Sequence, residues 1–249
     1  MFKKLFSGLL ISVFLLGGVA YPYTAYAALT VGTATTSSSQ TFSHTVASGT
    51  ELVAVGILSR RSTGGVSVVS VTFNGIEVFT KGGGGNLNGA QTNDEIWYLV
   101  NPTATTANIV VVLAGAVDGD EFWAVNISGG VDTSSPIGTV YTNNNGNNPG
   151  DQSRSVTPVA QGGVFLSNIL GTGGTFTAGT VTVSRSNVDV ALGVWFGAGG
   201  YKAHTGGATT VSWSWNGDDG PQHVIVEIKE VSTAVPTPIL ALIRSFWIW

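Results

Sequence analysis

No cysteine occurs anywhere in the 249 residues, which excludes disulfides, thiolate metal sites and thiol nucleophiles. Charge is scarce too: Asp, Glu, Lys and Arg make up 10% of the chain, and the formal net charge is −4. Arg60-Arg61 is the one basic doublet beyond Lys3-Lys4. Phosphate neutralisation needs a basic patch, so nucleic acid is excluded as an expected partner. The apolar stretch Leu5 to Ala20 falls short of the about 20 residues a membrane span needs. Helical periodicity and internal repeats of 20 to 50 residues are missing as well, which argues against solenoids and propellers.

What is present begins with an export pattern. Met1-Phe2-Lys3-Lys4 gives a positive start, the apolar run follows, and Ala25-Tyr26-Ala27 offers the small-x-small site of a signal peptidase. Residues 1–27 are therefore expected to be a signal peptide, residues 28–231 an extracellular or cell-surface domain, and 232–249 a Pro-containing linker with a short apolar tail. Without Lys3 and Lys4 the chain keeps 8 basic and 14 acidic residues. A domain of this length buries a core large enough to need no staples.

Alternation of period two recurs along the mature chain, which is rich in Val, Ile, Thr and aromatics. Glu51 to Leu58 is nearly all apolar, as expected of a strand buried on both faces. Asn74-Gly75, between Val66 to Phe73 and Ile76 to Thr80, is the strongest hairpin signal. Lys81 to Asn93, with four consecutive glycines, reads as a loop, as does the polar tract Asn143 to Asn148. About a dozen strands with turns every 8 to 15 residues predict an all-β fold, a two-sheet antiparallel sandwich of jelly-roll-like form. A cut near Ser128 to Thr142 into two halves is the alternative.

Several segments together resemble a jelly-roll-like β-sandwich surface domain, of uncharacterised function, found in secreted bacterial, phage and metagenomic proteins. They include Glu51-Leu52-Val53-Ala54-Val55-Gly56, Val69-Ser70-Val71-Thr72-Phe73-Asn74-Gly75, Trp97-Tyr98-Leu99-Val100-Asn101-Pro102 and Val224-Ile225-Val226-Glu227-Ile228. The similarity runs from about Thr35 to Glu230. It implies a β-sandwich module on extracellular proteins and brings no catalytic residue set with it.

For chemistry, the adjacent carboxylates Asp94-Glu95 and Asp120-Glu121 point to opposite faces of any strand that holds them, unlike a glycosidase pair facing across a cleft. Asp118, Asp120 and Glu121 offer oxygen ligands for Ca²⁺, against the plainer reading of an Asp-Gly turn. No other cofactor is expected. His44, His204 and His223 lack metal-ligand spacing, and no Gly-x-Ser-x-Gly elbow occurs. Trp213 and Trp215 share a face and precede the polar run Asn216-Gly217-Asp218-Asp219-Gly220. Flat rings beside Asn and Asp are what a sugar-binding face uses, and a sandwich core uses the same rings for filling.

Trp213, Trp215, Asn216, Asp218 and Asp219 are thus the candidate ligand residues, and an extracellular glycan or surface polymer the candidate partner. The expected function is a non-catalytic binding or adhesion module. A polysaccharide-active hydrolase or lyase and a structural subunit of an envelope layer or appendage are the alternatives. Membrane contact is expected only through the signal and the tail. Val235-Pro236-Thr237-Pro238 and the apolar run after it resemble in part a Pro-Glu-Pro sorting tail, but lack the Glu and the terminal basic cluster.

Overall fold

A computed structural model describes residues 28–62, 66–87, 91–143, 152–191, 195–217 and 221–232. The expected signal peptide and apolar tail therefore lie outside the described residues. Eighteen strands form, with no helix among the described residues, and every pairing is antiparallel. The all-β sandwich is confirmed, in doubled form: there are four sheets rather than two.

In the first half, β1 (Thr30–Val31) and β2 (Thr35–Ser37) lie along β10 (Gly119–Ser128), followed by β4 (Leu52–Arg60), β8 (Thr92–Val100) and β7 (Thr80–Leu87). This inner sheet faces an outer one ordered β3 (Thr41–Thr45), β9 (Thr106–Leu113), β5 (Val68–Phe73), β6 (Glu77–Val78). The second half repeats the plan. Its inner sheet runs β11 (Ile137–Asn143), β18 (Gln222–Lys229), β13 (Gly163–Thr172), β16 (Trp195–His204), β15 (Thr182–Ala191). Its outer sheet runs β12 (Ser153–Val156), β17 (Thr209–Trp215), β14 (Phe176–Ala178). Strand for strand, β2-β10-β4-β8-β7 corresponds to β11-β18-β13-β16-β15, and β3-β9-β5 to β12-β17-β14. Each half has the strand order of a jelly roll, and the two halves together form one compact unit.

Alternation decides how they stack. Val53, Val55 and Ile57 point from β4 into a core shared with Phe42, Val71, Phe73 and Ile109 of the outer sheet. Leu52 and Ala54 point the other way, against Val164, Leu166, Val224 and Val226 of the second inner sheet. Phe165, Ile169 and Ile225 continue from there to Val211 and Trp213. The layers therefore run outer, inner, inner, outer. The nearly continuous apolar runs of β4, β13 and β18 need cover on both faces, and two sheets alone cannot supply it. The contacts are reciprocal: β7 packs on β11 and β18, and its counterpart β15 packs on β2 and β10. That is the pattern of an approximate two-fold axis between the inner sheets.

Trp123 plugs this seam. It is fully buried, and its Nε1 donates to Asn168 Oδ1 at 2.6 Å across the two halves. Gly56 and Gly199 leave room for the indole, since a Cβ at either would overlap it. The Asn74-Gly75 hairpin forms, with φ of 54° and 73°. One expectation fails: Lys81 to Asn93 is not all loop. Gly82 to Gly85 lie within β7, where Gly83, Gly84 and Gly85 pair with Ile96, Glu95 and Asp94 and the register shifts between Lys81 and Gly83. Their smallness is the reason, because a Cβ on Gly83 would press on Val140 and Val226, and one on Gly84 would overlap the Asp94 carbonyl.

Candidate functional site

The outer sheet of the second jelly roll carries the clearest site. In β17, Val211 and Trp213 point inward while Thr210, Ser212 and Ser214 point to solvent, as a period of two requires. The register sets Thr177 of β14 opposite Ser214. On the other side, Ser153 and Ser155 of β12 face Ser212 and Thr210. The outward surface is therefore a lattice of small hydroxyls with no charged side chain on it among the described residues.

At one end of this lattice Thr175, Thr177, Ser214, Trp215 and Asn216 line a shallow pocket of about 130 Å³. The half-buried Trp215 ring stacks on Phe176, with centroids 4.1 Å apart and planes 21° from parallel. Gly217 lies against the same ring so closely that a Cβ there would overlap it. Asn216 is exposed, and its Oδ1 accepts from the Thr175 backbone N–H at 2.6 Å and from Thr175 Oγ1 at 3.1 Å. That amide thus ties the end of β17 to the entry of β14 and fixes the pocket wall.

The candidate ligand residues divide. Trp215 and Asn216 line the pocket, whereas Asp218 and Asp219 lie outside the described residues. Trp213 needs correction as a sugar platform. It is 2% exposed, and its Nε1 donates to Ser167 Oγ at 2.9 Å. Ser167 Oγ in turn lies 2.8 Å from His223 Nε2. All three are buried between the sheets, so the indole offers no face to a ligand. Thr175, Thr177 and Ser214 were missed by the sequence reading. Alternation marks Ser214 as outward, but only the pairing of β14 with β17 brings the two threonines beside it.

The Ca²⁺ candidates do not converge. Asp118 accepts from the Ser62 backbone N–H and sits 3.8 Å from Arg60. Asp120 accepts from Gln40 Nε2 at 2.9 Å, and burial pushes its carboxyl above the ordinary value. Glu121 pairs with Arg185 on the opposite face of β10. Neighbours along a strand cannot aim at one ion, and no group of three His, Cys, Asp or Glu able to hold a metal occurs among the described residues.

Three further strand carboxylates, Glu95, Glu227 and Asp94, lie inside the protein. Glu95 binds Lys81 Nζ at 2.9 Å and the Trp97 indole N–H. Glu227, fully buried, accepts from the backbone N–H groups of Thr139, Val159 and Ala160 at 2.7 to 3.0 Å. His204 Nε2 lies 3.6 Å from that carboxylate, and desolvation holds this imidazole below its ordinary pKa, with Glu227 opposing. His44, bonded to Thr35 and Asn126, is also held down by burial. Asp94 is fully buried between the inner sheets, and desolvation raises its carboxyl well above the usual range.

No family model, curated protein or solved structure matches this chain.

Proposed function

We propose that the protein is an exported, non-catalytic binding module that takes a neutral polysaccharide on the outer sheet of its second jelly roll. The observation that carries this reading is the pocket of about 130 Å³, walled by one half-buried indole and four uncharged hydroxyl or amide residues. Hydroxyls and amides both donate and accept, so they match sugar hydroxyls in either sense. The indole edge gives the apolar contact that an uncharged ring needs. Thr210, Ser212 and Ser153 extend the same chemistry beyond the pocket, which suits a polymer better than a free monosaccharide. The engaged interior carboxylates support the non-catalytic part: they serve as counter-charges and backbone anchors, and none lines the pocket. Export rests on the N-terminal pattern.

Retention on insoluble cellulose, xylan, mannan and chitin, read beside a glycan array, tests the reading. Ser214→Arg places a long charged side chain over the pocket from an outward position. It is expected to weaken retention at least about tenfold, because it fills the pocket and leaves polar groups without their partners. Unchanged retention would move the site elsewhere. Release of new reducing ends would replace the module by a hydrolase, and absence of retention on every polymer would end the glycan reading.

A further inference from the structure

We propose that the outer sheet of the first jelly roll is a second glycan face, so that one molecule cross-links two chains of neutral polysaccharide. This rests on the reading of the first pocket and extends it. On that sheet a groove of about 540 Å³ is lined by Ser43, Asn74, Gly75, Thr106, Asn108 and Val110, with Ala107 beneath. Its size falls in the range of about 300–1,000 Å³ usual for ligand clefts, whereas the pocket beside Trp215 falls below it.

The groove is built rather than incidental. Ser43 and Asn108 stand opposite each other in the β3–β9 register. The Asn74 backbone N–H donates to the Asn108 carbonyl at 3.0 Å. Asn74 and Gly75, both at positive φ, form the turn that lines the groove beside β9. Thr106 Oγ1 is oriented by Thr45 Oγ1 at 2.8 Å. Ser43, Asn74, Thr106 and Asn108 are all exposed, and the lining carries no charge.

Charge and chemistry select the occupant. An acidic or basic polymer finds no counter-charge in this lining, while its hydroxyls and amides, with Val110 for apolar contact, suit a neutral polyhydroxylated chain. The two outer sheets face away from each other with both inner sheets between them. Three sheet-to-sheet spacings of about 10 Å separate the faces by about 30 Å. One extended polymer chain cannot lie on both, whereas two chains can, and linking two weak sites raises overall avidity.

The experiment mixes the full chain with soluble mixed-linkage β-glucan, galactomannan and dextran. Retardation in polymer-containing native gels reads binding, and light scattering reads clustering. The wild type is expected to do both, with clustering falling again at protein excess, as a divalent linker requires. Asn108→Arg and Ser214→Arg should each keep weakened retardation and lose clustering, and the double variant should lose both. Ser43→Arg stands in should Asn108→Arg melt early. Retardation without clustering, clustering untouched by Asn108→Arg and Ser43→Arg, or loss of all retardation in Ser214→Arg alone overturns the second face and leaves the first standing. Self-association without polymer that Asn108→Arg breaks makes a second copy the occupant and also overturns it. No retardation of the wild type on any polymer removes both readings.

Discussion

The inner and outer sheets are built from the same two-residue alternation, yet they use their second faces in opposite ways. In β4 and β13 both faces are buried, and Asn168 is tied down there: it receives the Trp123 N–H and donates to the Glu95 carbonyl at 3.1 Å. In β3, β9 and β17 the second face meets water with Ser, Thr and Asn and, on β9, with Val110 and Val112. The difference teaches where each kind of sequence constraint lies. The seam tolerates little change in volume, because its fit is set by glycines against an indole. The outer faces tolerate changes of shape without loss of fold, which leaves them free for recognition.

Trp123→Ala attacks the seam most directly. Removing a fully buried indole and its hydrogen bond to Asn168 is expected to cost about 3–5 kcal/mol, measured by denaturant unfolding. A loss below about 1 kcal/mol would show that the inner sheets are not closed around this residue.

Asp94→Asn probes the same seam through pH. Burial raises the Asp94 pKa in the folded state above the ordinary 3.8. Below that ordinary value both states hold the proton and the residue carries no electrostatic cost. As pH rises, the unfolded chain ionises first, so stability falls until pH passes the raised folded value. The amide escapes this loss. Its advantage over wild type should be smallest near pH 3 and grow by about 1.4 kcal/mol per pH unit between the two values. A difference that does not change with pH would place Asp94 in water.

Thr177→Arg and Ser214→Arg should show the smallest effect on folding, within about 0.5 kcal/mol of wild type, because both side chains point outward. A larger loss would mean that the outer lattice is part of the core.

The sequence made some of this legible and hid the rest for physical reasons. Glu51 to Leu58 reads as a doubly buried strand because an unbroken apolar run leaves no face for water, and Asn74-Gly75 reads as a turn because both residues accept positive φ. Gly82 to Gly85 misled, since four glycines signal a loop by local preference. Here a tertiary requirement, close approach to β8, β11 and β18, sets them in a strand. The doubling was hidden because the jelly rolls share strand order rather than residues: Trp123-Gly56-Ile96 in one inner sheet corresponds to Val224-Asn168-Gly199 in the other. At the site, Trp213 and Trp215 look alike in sequence. The first lies within the sheet and is covered, while the second closes the strand end, where Thr175 and Thr177 meet it.

The central claim is that the seam holds the fold while the outer faces bind. It is tested most directly by measuring retention on neutral polysaccharide for wild type, Asp94→Asn and the Ser214→Arg/Asn108→Arg double variant, with melting curves alongside. The account predicts full retention for Asp94→Asn, and none for the double variant despite an unchanged melting temperature. Retention by a folded double variant would contradict it.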